Sequence, residues 1–340
     1  MIPEISIIIC TRNRNERIRS TLDSICQNQG CQFEVIVIDQ STNESTQIAV
    51  RPFLDDPRFI YKRTNTSGLS IARNIGIFEA RGEIIAFTDD DCRVTNNWVE
   101  SIVQEFRTHA IVDSVFGRII PGILPAGSEL KQDFNVDKAK RLQQVMPVAK
   151  KEEPTHKVYQ ESPHDLGFGH GANMCFRRSV FLRHGVFDEF LGAGAKLGAW
   201  EDRDMGYRIL TDGGKILYSP NVVIYHDHWR EWPEVKDAYK NYAIGTGTAV
   251  NKYVRIGNWG SIYLLFDWII QMGIRQILSG LFKWQSWQKI YVGMMQLIYP
   301  WIGLWQSRQY AIDPHYRVYI GKKGETQKAP IIKPPRSTSE

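Results

Sequence analysis

The chain has 340 residues, 43% of them hydrophobic and 23% charged, with 42 Lys and Arg against 37 Asp and Glu. That content can bury a sizeable core, as one large domain with an appendage or as two domains, and it excludes disorder of the whole. The net charge of +5 tolerates phosphate-bearing ligands or anionic lipid without demanding nucleic acid; no nucleic-acid-binding motif is present, so no such partner is expected.

The first element is a β-branched strand at Ile5 to Ile9. Met1 to Glu4 has no basic segment and the apolar run to Cys10 is too short for a signal core, so a cytoplasmic protein is expected. Five scattered cysteines without a Cys-x-x-Cys pair fit a reducing compartment and indicate neither a disulfide framework nor a zinc site. After the polar run Thr11-Arg12-Asn13-Arg14, the spacing of Ile18, Leu22 and Ile25 predicts a helix. A second strand, Phe33 to Ile38, ends at Asp39; the turn Ser41-Thr42-Asn43 can cap the next helix, and a short strand follows at Phe59 to Tyr61. A helix from about Leu69 to Ala80, closed by Gly82, leads into the strand Ile84 to Phe87 and then Thr88-Asp89-Asp90-Asp91.

Strands alternating with helices at this spacing predict an α/β fold with a mostly parallel sheet covered on both faces. Ligands of such sheets bind outside the carboxyl ends of the strands, where Thr11, Asp39 and Asp89 to Asp91 all fall. Three adjacent carboxylates repel one another, a cost tolerated mainly where a divalent cation or a hydroxyl-rich ligand sits between them.

Residues 121–165, with Pro121, Pro125, Pro147, Pro154 and Pro163 among polar residues, are expected to be an inserted loop region, with a helix near Val136 to Val145. Gly167-Phe168-Gly169-His170-Gly171-Ala172-Asn173-Met174-Cys175-Phe176 is expected to be a glycine-rich approach to a short strand. Helices are expected at Arg178 to His184 and Asp202 to Leu210, a flexible loop at Gly192 to Gly198, and strands at Lys215 to Ser219 and Val222 to Tyr225, before His226-Asp227-His228-Trp229. Eight of the ten tryptophans lie from Trp229 onward. Its longest apolar stretches, Ile262 to Leu278 and Ile290 to Trp305, are interrupted by charged, amide or proline residues. Neither offers the roughly 20 apolar residues a spanning helix needs. These aromatic-rich helices suit either a subdomain packed on the sheet or helices lying in a membrane interface. A disordered tail is expected at 321–340.

Ile7-Ile8-Ile9-Cys10-Thr11-Arg12-Asn13-Arg14, Val35-Ile36-Val37-Ile38-Asp39, Asn65 and Gly68 leading to Ala72-Arg73-Asn74-Ile75-Gly76, Phe87-Thr88-Asp89-Asp90-Asp91 and Trp200-Glu201-Asp202-Arg203-Asp204 come in one order. Together they resemble the family 2 glycosyltransferases of the GT-A fold, over about residues 4–230. The loop after Asp39, Gln40-Ser41-Thr42-Asn43-Glu44, departs from the family's usual acidic or amide residue followed by Gly-Ser.

The resemblance implies a metal-dependent, inverting transfer from a nucleoside diphosphate sugar, a UDP-sugar first, to a carbohydrate or lipid-linked hydroxyl acceptor in polysaccharide or glycolipid synthesis. It divides the chain into a nucleotide-sugar-binding half (1–120), the insertion (121–165), an acceptor and catalytic half (166–230), the aromatic helical region (231–320), a candidate for contact with the cytoplasmic face of a membrane, and the tail. Mn²⁺ or Mg²⁺ would offset the diphosphate charge. Asp91 is the implied metal ligand, with Asp89 sharing the site and His226 completing it; His228 is a rival, and an imidazole would favour manganese. Thr11, Arg14, Asp39, Arg73, Asp89 and Asp90 would border the donor, Asp39 at the nucleobase edge. Gly171, Ala172, Asn173 and Trp200 would line the sugar and acceptor side, and Asp202, with Glu201 sharing the task, would be the catalytic base. Two alternatives stand: a sugar nucleotidyltransferase, which would want a glycine in Thr11 to Arg14, and a non-catalytic nucleotide-sugar-binding or membrane-docking partner.

Overall fold

The computed structural model describes residues 2–122, 154–227, 231–283, 285–322 and 324. The helix expected near Val136 to Val145, His228, Trp229 and nearly all of the tail lie outside these residues. Nine strands form one sheet: β1 Ile5–Thr11, β2 Phe33–Asp39, β3 Phe59–Arg63, β4 Ile84–Asp89, β5 Cys92–Val94, β6 Ser114–Gly122, β7 Lys157–Tyr159, β8 Asn173–Arg177 and β9 Ile216–Asp227. Their order is β3-β2-β1-β4-β8-β6-β9-β5, with β7 paired to β9. The first four are parallel, whereas β8 runs antiparallel to both neighbours.

Alternation along each parallel strand feeds two cores. Ile8, Ile36 and Ile38 point to one, and Ile5, Ile7, Ile9, Val35 and Val37 to the other. Both faces are covered, so these strands read as continuous β-branched runs. The helices are α1 Asn15–Cys26, α2 Ser45–Val50, α3 Leu69–Glu79, α4 Trp98–Thr108, α5 Arg178–His184, α6 Glu201–Thr211 and α7 Trp232–Arg255. A run of alternating α and π turns over 262–283 (α8) and the helix Trp287–Gln306 (α9) follow. The chain then makes the hairpin β10 Tyr310–Asp313 and β11 Val318–Lys322.

Three expectations are corrected. The two strands expected around residue 220 are one strand, β9, with a register shift against β6 between Gly117 and Arg118. Helix α4 was not anticipated, although its apolar face of Trp98, Val99, Ile102, Val103 and Phe106 is fully buried. Strand β11 extends order to Lys322, past the expected start of the tail, because Tyr310 and Tyr319 bury against the main core.

The carboxy-terminal elements are locked to the sheet domain by buried charge. Lys252 of α7, fully buried, lies 2.9 Å from Asp188 and 2.6 Å from Asp204 of α6. Arg208 pairs with the second oxygen of Asp204 at 3.1 Å, and Tyr253 donates to Asp204 at 2.8 Å. Burial acts to raise the Asp204 carboxyl, but Lys252 and Arg208 outweigh it and hold the group below the usual carboxylate range. Removing one partner of such a network strands a charge without solvent. Lys252→Met should therefore lower unfolding stability by about 3–5 kcal/mol, read from urea midpoints at neutral pH; an unchanged midpoint would show that the network holds nothing.

Candidate active site

The parallel register sets the floor of the site. Thr11 pairs with Asp39 across β1 and β2, and Cys10 with Asp89 across β1 and β4, so three strand ends open along one edge of the sheet. Strand β5 turns back immediately after β4 and pairs antiparallel with β9, placing Cys92 opposite His226. A segment 130 residues downstream thereby arrives beside the acidic triplet.

Asp89, Asp91, Cys92 and His226 each offer a ligand atom within 4.8 Å of the others. The His226 Nε2 lies 3.5 Å from an Asp91 oxygen, and its Nδ1 is buried with no hydrogen-bond partner among the described residues. Burial, with Asp91 and Asp89 adding to it, raises the Cys92 thiol well above its ordinary range, and sulfur is a softer donor than the oxygen and imidazole ligands suited to Mn²⁺ and Mg²⁺. Two carboxylates and an imidazole remain, a donor set that fits Mn²⁺ and, less well, Mg²⁺. Asp90 is turned to Arg14, which donates to it at 2.8 Å and lies 3.5 Å from Asp91. Burial raises the Asp90 carboxyl to about 6 against the pull of Arg14, with Asp91 pushing in the same direction as burial. A cation beside Asp91 would act with Arg14.

The acidic cluster opens into a cavity of about 220 Å³ bordered by Asp89, Arg73, Gly171, Ala172, Trp200, Glu201, Asp202 and His226. Gly68, at φ +122°, starts α3 and sends Arg73 inward. Arg73, 3% exposed, donates to Glu201 at 2.8 Å and to the Gly171 carbonyl at 3.3 Å, and lies 3.7 Å from Asp89. Burial works against its charge, but Glu201 and Asp89 more than compensate and raise its pKa. One guanidinium thus ties the metal-side carboxylate to the start of α6. Glu201 is buried and committed to Arg73, whereas Asp202 is half-buried on the cavity wall. Its Oδ2 accepts from the Gly171 amide at 2.8 Å and its Oδ1 from the Arg203 amide at 2.7 Å, which fixes the carboxylate without neutralising it. The indole N–H of Trp200 is buried and has no partner among the described residues.

Two of the expected site residues are engaged in contacts within the fold. Asn173 does not face the cavity. It accepts from the Trp98 indole at 3.0 Å and donates to the Arg118 and Val222 carbonyls, a clamp between α4, β6 and β9. Asp39 stands at the expected strand end but has no exposed surface: Ser41 N–H and Tyr61 O–H occupy its two oxygens at 2.8 and 2.6 Å. These contacts hold Asp39 to the loop after β2 and to β3.

Sequence reasoning missed one wall. Tyr239 and Tyr242 of α7 and Trp268 and Met272 of α8 also line the cavity. Helix α7 reaches this position because Gly245 lies against the backbone of Ala199, and Gly198 against the backbone of α7; a Cβ on either glycine would overlap those atoms. The Ala199 amide donates to Asn241 O at 2.9 Å, so the loop carrying Trp200, Glu201 and Asp202 is hydrogen-bonded to α7. The aromatic content of the region signalled burial of apolar surface, but not against what.

Residues 6–185 match the profile of glycosyl transferase family 2. The chain is 22% identical over 239 residues to the glucosyl-dolichyl phosphate glucuronosyltransferase of Haloferax volcanii, covering 66% of this chain and 69% of that protein. It is 25% identical over 250 residues to chondroitin synthase of Escherichia coli, covering 66% of this chain but only 35% of that longer protein. Among solved structures, a mannosyltransferase from Pyrobaculum calidifontis, in complex with GDP-Man and Mn²⁺, superposes with a TM-score of 0.57 at 16% identity, covering 91% of this chain and 88% of that one. The mixed sheet with helices on both faces is the GT-A fold.

Proposed function

The chain belongs to glycosyl transferase family 2, and from that premise we propose that it is a metal-dependent, inverting enzyme that moves a sugar from a nucleoside diphosphate sugar to a hydroxyl of a carbohydrate or lipid-linked acceptor. The observation that carries this reading is that Asp89 and His226, which cluster with Asp91 as a donor set, border the same cavity as the Asp202 carboxylate. UDP-sugars are the first donors to test, and polysaccharide or glycolipid synthesis is the setting; the names of a glucosyl-dolichyl phosphate glucuronosyltransferase and a chondroitin synthase among the relatives support that setting.

Asp91, Asp89 and His226 would hold Mn²⁺ or Mg²⁺, which when bound offsets the charge of the diphosphate and of the leaving group. Arg14 keeps Asp90 and Asp91 in place, and Arg73 sets Asp89 relative to Glu201. Asp202 takes the acceptor's proton as the acceptor oxygen bonds to the anomeric carbon and the bond from that carbon to the diphosphate oxygen breaks. The electron pair leaves with the nucleoside diphosphate, so one displacement inverts the anomeric configuration and forms no covalent intermediate. Trp200, whose indole N–H has no partner among the described residues, and Gly171 and Ala172 would border the sugar.

The test is a panel of UDP- and GDP-sugars with Mn²⁺ or Mg²⁺, assayed for released nucleoside diphosphate. Release from at least one donor that stops on adding EDTA is expected. No release from any donor, or release indifferent to EDTA, would overturn the reading.

A further inference from the structure

The carboxy-terminal helices are apolar on both sides. A surface helix ordinarily turns a polar face to water. Helix α9 instead exposes Trp287, Tyr291, Met294, Ile298, Trp301 and Trp305, spaced 4, 3, 4, 3 and 4 residues apart, while Val292, Met295, Pro300 and Gly303 are buried on its other side. Helix α8 does the same: Phe266, Ile270, Ile274 and Leu278 are exposed, and Leu264, Leu265 and Trp268 are buried. The two helices pack closely through Gly273, Gly280 and Gly293, where a Cβ would overlap the partner helix. Of 22 exposed large apolar side chains among the described residues, 14 lie between Trp259 and Trp305, with Phe282 at 79% and Trp305 at 71% exposure. So concentrated an apolar surface marks an interaction site.

Its chemistry selects the occupant. Between residues 261 and 310 there is one acidic residue, Asp267, against the exposed Arg275, Lys283 and Arg308, with Lys289 buried, and this basic excess complements anionic lipid. Exposed Trp and Tyr suit the level of lipid headgroups. No helix among the described residues is long and apolar enough to cross a membrane, so the pair would lie in the interface. The surface is also continuous with the cavity: α8 turns Trp268 and Met272 toward the reacting groups and Phe266, Ile270 and Ile274 away from them.

We propose that α8 and α9 seat the enzyme in the interface of an anionic bilayer, and that the aromatic cavity wall α8 shares with α7 receives an acceptor anchored in that bilayer, an amphiphile whose polar head carries the reacting hydroxyl. The inference rests on the glycosyltransferase reading for the acceptor's role, and on the surface alone for the membrane. Burying the two stripes supplies the apolar contribution to binding, and the basic excess makes it depend on lipid charge and salt.

The experiment uses the full chain and its Phe282→Glu/Trp301→Glu/Trp305→Glu variant, whose altered side chains are exposed and lie outside the catalytic groups. Flotation with vesicles of phosphatidylcholine, alone or with equimolar phosphatidylglycerol, should show binding to the anionic vesicles, weakened by salt, and at least about tenfold weaker in the variant. Both proteins should release nucleoside diphosphate from the soluble donor panel equally. With acceptor panels, transfer to dodecyl glycosides in anionic vesicles should exceed transfer to the same free sugars by about tenfold, an advantage the variant loses. Absence of vesicle binding, equal binding by the variant, no advantage for the lipid-tailed acceptors, or a wild-type dimer that the variant converts to monomer would overturn the proposal, the last in favour of a second copy of the chain. Vesicle binding without donor turnover in either protein would instead overturn the glycosyltransferase reading.

Discussion

Replacing Asp202 by Asn should leave nucleotide-sugar binding intact and reduce transfer by about 10² to 10⁴. The carboxylate borders the cavity, half-buried, held by the Gly171 and Arg203 amides at 2.8 and 2.7 Å. Asn has the same shape and can still accept from one of those amides, so the loop and the Arg73 to Glu201 bridge should persist. What it cannot do is take a proton from the acceptor hydroxyl. The loss should therefore fall in kcat, with the donor dissociation constant from calorimetry unchanged. Loss of donor binding would assign Asp202 a structural role. Glu201→Gln should behave differently, because Glu201 is buried against Arg73 at 2.8 Å. That change removes the charge partner of a buried guanidinium, so its cost should appear in stability as well as in rate.

Asp91→Ala should abolish the dependence on Mn²⁺ or Mg²⁺ and reduce donor turnover by about 10³-fold or more, the equivalent of several kcal/mol of charge stabilisation. The protein should remain folded. Asp91 contributes repulsion as well as attraction: its charge helps raise Asp90 to about 6, and Arg14 retains Asp90 as a partner at 2.8 Å after Asp91 is gone. Circular dichroism and the urea midpoint should therefore match wild type, while turnover measured over a manganese titration shows no saturable activation. Undiminished, metal-dependent turnover would remove Asp91 from the site.

The parallel half of the sheet was legible because its physics is local. Ile5 to Ile9 and Val35 to Ile38 are buried on both faces, so they appear in the sequence as unbroken β-branched runs, and the polar residue ending each run marks the ligand edge. His226 was legible only as one of two histidines, since its place beside Asp91 follows from the pairing of β5 with β9. The clamp at Asn173 was not legible: Asn173 directly follows Ala172, which borders the cavity, yet its side chain is held by the Trp98 indole from a helix 75 residues earlier in the chain. Lys252, in a stretch that reads as an ordinary helix, gave no sign of being fully buried between Asp188 and Asp204. The aromatic wall of Tyr239, Tyr242, Trp268 and Met272 depends on glycine contacts between segments far apart in the chain, Gly198 with α7 and Gly245 with Ala199, which no local pattern encodes.

The central claim is that a nucleoside diphosphate binds at the carboxyl edge of the sheet through a cation held by Asp89, Asp91 and His226. Thermal unfolding of wild type and Asp91→Ala with a panel of nucleotide sugars and their diphosphates, with and without Mn²⁺, tests it directly, because a ligand bound only by the native state raises the midpoint by mass action. The account predicts a rise in wild type that requires both nucleotide and Mn²⁺ together and is absent in Asp91→Ala. A nucleotide-dependent rise of equal size without metal, or one that survives in Asp91→Ala, would contradict it.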